Sequence, residues 1–331
     1  MNTHRVSGPR FAPVEAGYGV VEFARLPEAV RARLNLAGEG RLFILEMAQA
    51  SGLGLLAPAE RNPWHTSSRG VGELLAIAAR SGASAILIGI GGSATNDIGA
   101  GALEALGIEF QDTSGESLGR ITPAVFAQAA RLGGVLSPRM PRLFMACDVR
   151  NPLLGPNGAT AIFAPQKGLP QGDFARLERS VGVMAKKLCD YFEAPRTLMM
   201  EPGSGAAGGL GFGLRVACGA ELVPGFELVS DWLGLEEQVR AANAVLTGEG
   251  YFDAASLSGK GPGAVAEMAI KHGKKLIVIA GRVDEHAAAA FQSRAPAGKV
   301  TFISLSKENE PPEKALPATA ARLARAVRDT V

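Results

Sequence analysis

Apolar and polar positions along the chain follow two periods. Ile86, Leu87, Ile88 and Ile90 form a short β-branched run that reads as a buried strand, and an Ala/Leu-rich stretch from about Ile98 reads as a helix closed by Gly107. Upstream, 18–23 alternates as a strand does, 41–47 reads as a second strand, and the apolar spacing from Gly72 to Ala79 suits a helix. Downstream, helix-like segments around 123–132 lead to an apolar run from Arg142 that ends on Asp148, and 159–164 is expected to be a strand. Residues 173–192 have the length and period of an amphipathic helix with a charged, solvated face. From about 243 the texture becomes strand-then-helix, with strands at 244–246, 275–280 and 300–305 and a last helix over 313–331. Such alternation predicts a parallel sheet with right-handed crossovers.

Length adds a domain count: 331 residues favour two α/β domains. The 34 Lys and Arg nearly cancel the 32 Asp and Glu, so there is no basic field of the kind that holds nucleic acid. Cys147, Cys189 and Cys218 are widely spaced, form no C-x-x-C and read as reduced, mostly buried thiols of a cytoplasmic protein. The first residues lack the apolar core of a signal peptide and no apolar run approaches about 18 residues, so no membrane partner is expected. Glycine is the outlier. Its 42 copies are close to twice the usual share of about 7%, and they cluster in short groups flanked by polar residues, as ligand-facing backbone loops do.

The densest cluster is the turn after the 86–90 run. Gly89, Gly91 and Gly92 leave the backbone bare, Ser93, Thr95, Asn96 and Asp97 add polar groups, and the N–H groups of the following helix start would attract an anion. Neither G-x-G-x-x-G at this spacing nor G-x-x-x-x-G-K-[ST] anywhere is present, and a strand-to-helix turn of this kind is often purely structural. Asp148 ends a strand beside the rigid loop Asn151-Pro-Leu-Leu-Gly-Pro-Asn-Gly158, where α/β folds place chemistry, although an Asp that merely caps a turn fits equally well. At 203–213 each internal glycine argues against a helix, which would form only if small residues allow close packing; Ser204 and Gly205 are expected to make a second anion-facing turn. Glu249, Asp253 and Gly281 fall at the carboxyl edge of the C-terminal strands, and Lys167 and Lys260 sit in glycine-flanked loops. Bare backbone, acids and lysines together are what phosphoryl transfer uses. The four histidines lie outside every glycine motif, which leaves Ser-His and Cys-His mechanisms unsupported.

Gly-Ile-Gly-Gly-Ser-Ala-Thr-Asn-Asp at 89–97, Ala-Cys-Asp-Val-Arg-Asn-Pro-Leu-Leu-Gly-Pro-Asn-Gly-Ala at 146–159, Pro-Gln-Lys-Gly at 165–168, Gly-Ser-Gly-Ala-Ala-Gly-Gly-Leu-Gly at 203–211 and Leu-Thr-Gly-Glu-Gly with Asp253 follow one another in the order seen in bacterial class I glycerate kinases, which the chain resembles. The resemblance implies a Rossmann-like parallel sheet, here without its N-terminal part, supplied by 236–331. A larger inserted domain with a mixed sheet would be 1–235, and the site would lie in a cleft between the two. It implies ATP- and Mg²⁺-dependent phosphorylation of D-glycerate to 2-phosphoglycerate, with 3-phosphoglycerate second; homodimerisation is left open. The implied catalytic residues are Asp97, Asp148 and Lys167, with Asp97 and Asp148 both candidates for the base. Gly91, Gly92, Ser93, Asn96, Asn151, Ser204 and Gly205 would hold the substrate. Gly248, Glu249, Gly250, Asp253, Lys260 and Gly281 would hold ATP, and Asp148 and Glu249 the metal. Family members begin with a strand and helix carrying Asp-Ser-Phe-Lys-Gly and later an Asp-Gly-Gly-Glu-Gly loop, both absent here; Tyr251 stands where Arg is usual and Gly261 where Ala is usual. These departures leave two alternatives: a truncated, weakly active or inactive binding relative, and, ranked last, a nicotinamide-dependent hydroxy-acid oxidoreductase.

Overall fold

The computed structural model describes residues 2–254, 256, 261–296, 298–306 and 310–330. The chain forms two compact units, Met1–Leu228 and Val229–Val331.

Unit 1 is built on a mixed six-stranded sheet. Its strands are β1 (Asn2–Ser7), β2 (Pro13–Glu22), β3 (Arg41–Glu46), β4 (Ala85–Gly89), β7 (Arg142–Ala146) and β8 (Glu221–Val223), in the order β1-β2-β3-β4-β7-β8. A separate two-stranded hairpin pairs β5 (Ile108–Gln111) with β6 (Arg131–Gly134). The β3–β4, β4–β7 and β7–β8 pairs are parallel, whereas β1 and β2 are added antiparallel at one edge. Parallel strands are covered on both faces, which is why β4 reads as a continuous apolar run: Ala85, Ile86, Leu87 and Ile88 are all buried.

The helices of unit 1 are α1 (Glu28–Arg33), α2 (Met47–Ser51), α3 (Arg69–Arg80), α4 (Ala100–Ala105), α5 (Ala159–Phe163), α6 (Phe174–Tyr191), α7 (Ala206–Cys218) and α8 (Gly225–Leu233), the last carrying the unit boundary. On α3, Val71, Leu74, Leu75 and Ala78 share the buried face at helical spacing. Gly72 lets α3 lie directly on α4, because a Cβ there would run into the Ala102 carbonyl. On α6, Leu177, Val181, Met184, Ala185 and Leu188 do the same work over three turns and leave the charged face outside.

Unit 2 holds α9 (Leu235–Ala241), then β9 (Ala244–Phe252), α10 (Gly261–Lys271), β10 (Lys275–Val283), α11 (Glu285–Gln292), β11 (Val300–Ser304) and α12 (Pro312–Thr330). The sheet order is β11-β10-β9 and both pairings are parallel, as the strand-helix alternation predicts. Phe252, Phe291 and Phe302 pack ring edge against ring face between the sheet and its helices.

Four elements depart from the sequence reading. Residues 123–132 hold only a 3-10 turn at Pro123–Val125 before β6, since pairing with β5 captures 131–134. The 159–164 run is helix α5 and not a strand; an apolar run this short carries no period, and the Gly155–Gly158 turn starts a helix there. Thr247–Phe252 continues β9 and Gly281–Val283 continues β10, so Gly248 and Gly281 are strand residues, each packed where a Cβ would meet the neighbouring strand's backbone. Residues 206–218 do form a helix, but its first turn is broken by left-handed Ala207, Gly208 and Gly209. The glycines permit the intimate contact that offsets their helix cost: a Cβ on Gly208 would collide with the Thr95 carbonyl, and the Gly208 carbonyl accepts the Ile98 N–H at 3.0 Å.

Candidate active site

The carboxyl ends of β4 and β7 open into a cavity of about 440 Å³. One wall is the Ile90-Gly91-Gly92-Ser93 turn, and another is Ala146-Cys147-Asp148-Val149, with Gln166, Ala206 and Ala207 closing the space. The N–H groups of Gly91, Gly92 and Ser93 donate to no protein acceptor among the described residues. The turn is instead pinned from behind: the Gly92 carbonyl accepts the Leu53 N–H, and the Ala94 N–H donates to Ser51, both at 2.8 Å. Gly92 sits at φ 66°, which glycine adopts without strain. Asp148 is exposed to the cavity, and its Oδ1 accepts the Phe226 N–H at 3.0 Å. Among the described residues no lysine or arginine lines the space, and the donors it offers an anion are backbone N–H groups and the Ser93 hydroxyl.

Beneath this turn lies a buried polar layer. Asp97 is fully buried and accepts the Ser68 N–H (2.7 Å), the Ser68 hydroxyl (2.8 Å), and the Gly101 (3.1 Å) and Gly99 (3.3 Å) N–H groups. The N–H groups expected to attract a ligand at the start of α4 are therefore taken by the protein's own carboxylate. Burial pushes the Asp97 carboxyl above its usual range, and those hydrogen bonds pull it back. Lys167 is buried as well, and its ammonium donates to the Thr95 carbonyl at 2.6 Å. Loss of hydration brings its pKa down to about 7, with the Asp97 charge opposing that shift. Asn96 Nδ2 reaches Thr160 at 3.4 Å, while Asn96 Oδ1 and the Thr95 hydroxyl are buried without a partner.

Unit 2 has its own cavity, of about 660 Å³. Gly248, Glu249, Gly250 and Gly281 line it together with Arg282 and Ser306, against an apolar wall of Leu246, Leu305, Leu316 and Leu323. Glu249 Oε1 is buried there with no hydrogen-bond partner.

The glycerate kinase family model matches residues 2–331. The chain belongs to the glycerate kinase family. It is 40% identical over 269 residues to the glycerate 2-kinase of Escherichia coli (strain K12), covering 81% of this chain and 70% of that one. With the glycerate kinase of Bacillus subtilis (strain 168) it shares 39% identity over 308 residues, covering 92% and 78%. The crystal structure of a candidate glycerate kinase 2 from Salmonella typhimurium LT2 superposes with a TM-score of 0.66 at 32% identity, covering 100% of this chain and 83% of the other. Membership of a kinase family makes the chain an enzyme of phosphoryl transfer, and no helix among the described residues is long and apolar enough to cross a membrane.

Of the residues the glycerate kinase motifs single out, Gly91, Gly92, Ser93 and Asp148 line one cavity and Gly248, Glu249, Gly250 and Gly281 another. Asp97, Asn96 and Lys167 lie in the buried layer and off both cavity walls. Asn151 braces its own loop by donating to the Asn157 carbonyl at 2.8 Å, and its carbonyl accepts the Gly205 N–H at 2.9 Å. The Ser204 hydroxyl donates to the Leu198 carbonyl and accepts from Arg215, so the 204–205 turn faces inward. The Asp253 N–H donates to the Ser256 hydroxyl, and Lys260 lies outside the described residues. Gln166 and Arg282 are cavity residues that sequence reasoning passed over. In each case the signal was adjacency: Gln166 faces out because its neighbour Lys167 turns in, and Arg282 follows Gly281 on the same strand end.

Proposed function

We propose that this chain transfers the γ-phosphoryl group of ATP to the 2-hydroxyl of D-glycerate, giving 2-phosphoglycerate and ADP. One observation carries the reading: a row of unclaimed N–H groups at Gly91, Gly92 and Ser93 shares a small cavity with the Asp148 carboxylate. A three-carbon hydroxy acid has the matching parts. Its carboxylate takes the backbone donors and the Ser93 hydroxyl, and its hydroxyl meets Asp148 as hydrogen-bond acceptor. Asp148 aligns that oxygen for attack on the γ-phosphorus and receives its proton as the new O–P bond forms and the bond to the ADP oxygen breaks. Asp97, Asn96 and Lys167 then serve as the scaffold that fixes the turn, and Asn151, Ser204 and Gly205 as the brace behind the substrate loop.

ATP suits the unit 2 cavity, whose apolar wall accepts a base and whose bare backbone at Gly250, with open space where a Cβ would stand, admits a phosphate closely. Mg²⁺ in kinases is held by one or two carboxylates plus phosphate oxygens and water. Glu249 is the carboxylate of this cavity assigned to it, and its unpartnered, buried Oε1 supports the choice. When bound, the ion neutralises charge on the transferring phosphate.

The test is ADP release with D-glycerate, ATP and Mg²⁺, followed by ³¹P NMR of the product. Release of ADP with a 2-phosphate signal is expected. A 3-phosphate signal would overturn the regiochemistry, and thermal stabilisation by D-glycerate without ADP release would favour the silent binding relative.

A further inference from the structure

Unit 1 carries a second cavity, of about 600 Å³, that shares no lining residue with the first. It opens beside the turn at Pro63–His65, the turn at Pro123–Val125 and the first half of α6. Its floor is fixed. Trp64 and Phe126 are buried, the Trp64 indole N–H donates to Asp173 at 2.8 Å, and the Arg176 guanidinium lies over the indole ring at 4.3 Å. Arg176 also pairs with Asp173 at 2.9 Å, so the one acid lining this cavity among the described residues already has two partners.

The polar groups above that floor are in the opposite state. Among the described residues, the side chains of Arg179, Ser180 and His65 have no hydrogen-bond or ion-pair partner, and all three line the cavity. Beside them Val183 is 51% exposed and Ala124 and Ala127 are exposed, a lip of apolar surface next to a guanidinium without a counter-ion. A planar guanidinium fork matches a carboxylate or phosphate, the Ser180 hydroxyl and the His65 ring can donate alongside it, and an apolar lip rewards a ligand that is more than an inorganic ion.

We infer that this cavity binds a small organic anion, with its carboxylate or phosphate on Arg179 and Ser180 and its apolar body against Val183. None of these residues belongs to the set assigned to glycerate or ATP, so the site acts independently of that assignment and stands whether or not the glycerate reading holds.

The test is isothermal titration of the full chain with phenyl phosphate, benzoate, inorganic phosphate and benzyl alcohol, repeated on Arg179→Glu. Phenyl phosphate or benzoate is expected to bind, and whichever is tighter tells a phosphate ligand from a carboxylate one. Inorganic phosphate should bind at least about tenfold more weakly because it gains nothing from the lip, and benzyl alcohol should not bind. Arg179 is exposed and unpartnered, so Arg179→Glu should leave the melting temperature and ADP release unchanged while weakening the aromatic anion at least about tenfold. Equal binding by wild type and Arg179→Glu would overturn the proposal, as would no heat from either aromatic anion up to about 10 mM, beyond which affinity is too weak to matter. A dimer in sedimentation that Val183→Glu dissociates would overturn it too, by showing that a second copy covers the face.

Discussion

At the scale of single residues, the sharpest division is between carboxylates and ammonium groups that face a cavity and those that hold up its wall. Asp97 and Lys167 look like catalytic residues in the sequence because acid, lysine and glycine stand close together; in the fold both are buried and hydrogen-bonded to the protein, which is why both are proposed as scaffold. Lys167 then leaves a signature in stability. Its folded pKa of about 7 is below the unfolded value of about 10.4, so between those limits the unfolded chain binds the extra proton and stability rises with pH. The gain approaches about 1.4 kcal/mol per pH unit at most, and it is lost as pH falls back to 7. Cys218 works the other way: its thiol is pushed up to about 12, so it costs stability only above its unfolded value of about 8.5. Urea unfolding of the wild type between pH 7 and 8.5 should therefore show a rising free energy, and Lys167→Met should abolish most of that slope. A wild-type slope that survives in Lys167→Met would mean that another group carries it, contradicting a lowered pKa at Lys167.

At the scale of elements, glycines separate into packing and binding classes. At Gly208, a left-handed φ of 68° combines with a Cβ position that would strike the Thr95 carbonyl, so Gly208→Ala is expected to cost about 3 kcal/mol, from αL strain plus overpacking. Gly91 has open space around its Cβ position, and Gly91→Ala should leave the melting temperature near wild type while raising KM for D-glycerate, since the added methyl stands at the cavity wall. Equal destabilisation by both substitutions, in thermal melts, would erase the distinction. Most of the architecture was legible: continuous apolar runs mark the buried parallel strands, and 3.6-residue spacing marks α3 and α6. Where the reading failed, tertiary contact outweighed local preference. The glycines of α7 disfavour a helix in isolation, yet Gly208, Gly209 and Gly213 lay it directly on the 95–98 turn while Leu210, Phe212 and Leu214 are buried. In the 159–164 run no period existed to read. The motifs at Gly91–Ser93 and Asp148 fall on one cavity, but a sequence does not say which of two adjacent polar side chains turns inward, and Gln166 beside Lys167 is the clearest instance.

At the scale of the whole molecule, two compact α/β units each carry a cavity at bare backbone, one smaller with unclaimed N–H donors, the other larger with an apolar wall. Their contents match the two substrates of a glycerate kinase: a compact hydroxy acid, and a nucleotide that offers both a base and phosphates. The assignment turns on Asp148 as the group that meets the acceptor hydroxyl. Asp148→Asn keeps an oxygen to accept the Phe226 N–H, so the fold should be untouched, whereas Asp97→Asn disturbs four donors in a buried layer and should lower the melting temperature. The decisive measurement is kcat/KM for D-glycerate in Asp148→Asn, taken with its melting temperature. The expected result is a loss of about 100-fold or more, the scale of a missing general base, with the melting temperature shifted by less than about 2 °C. Turnover within about threefold of wild type, a difference of well under 1 kcal/mol in the barrier, would contradict it.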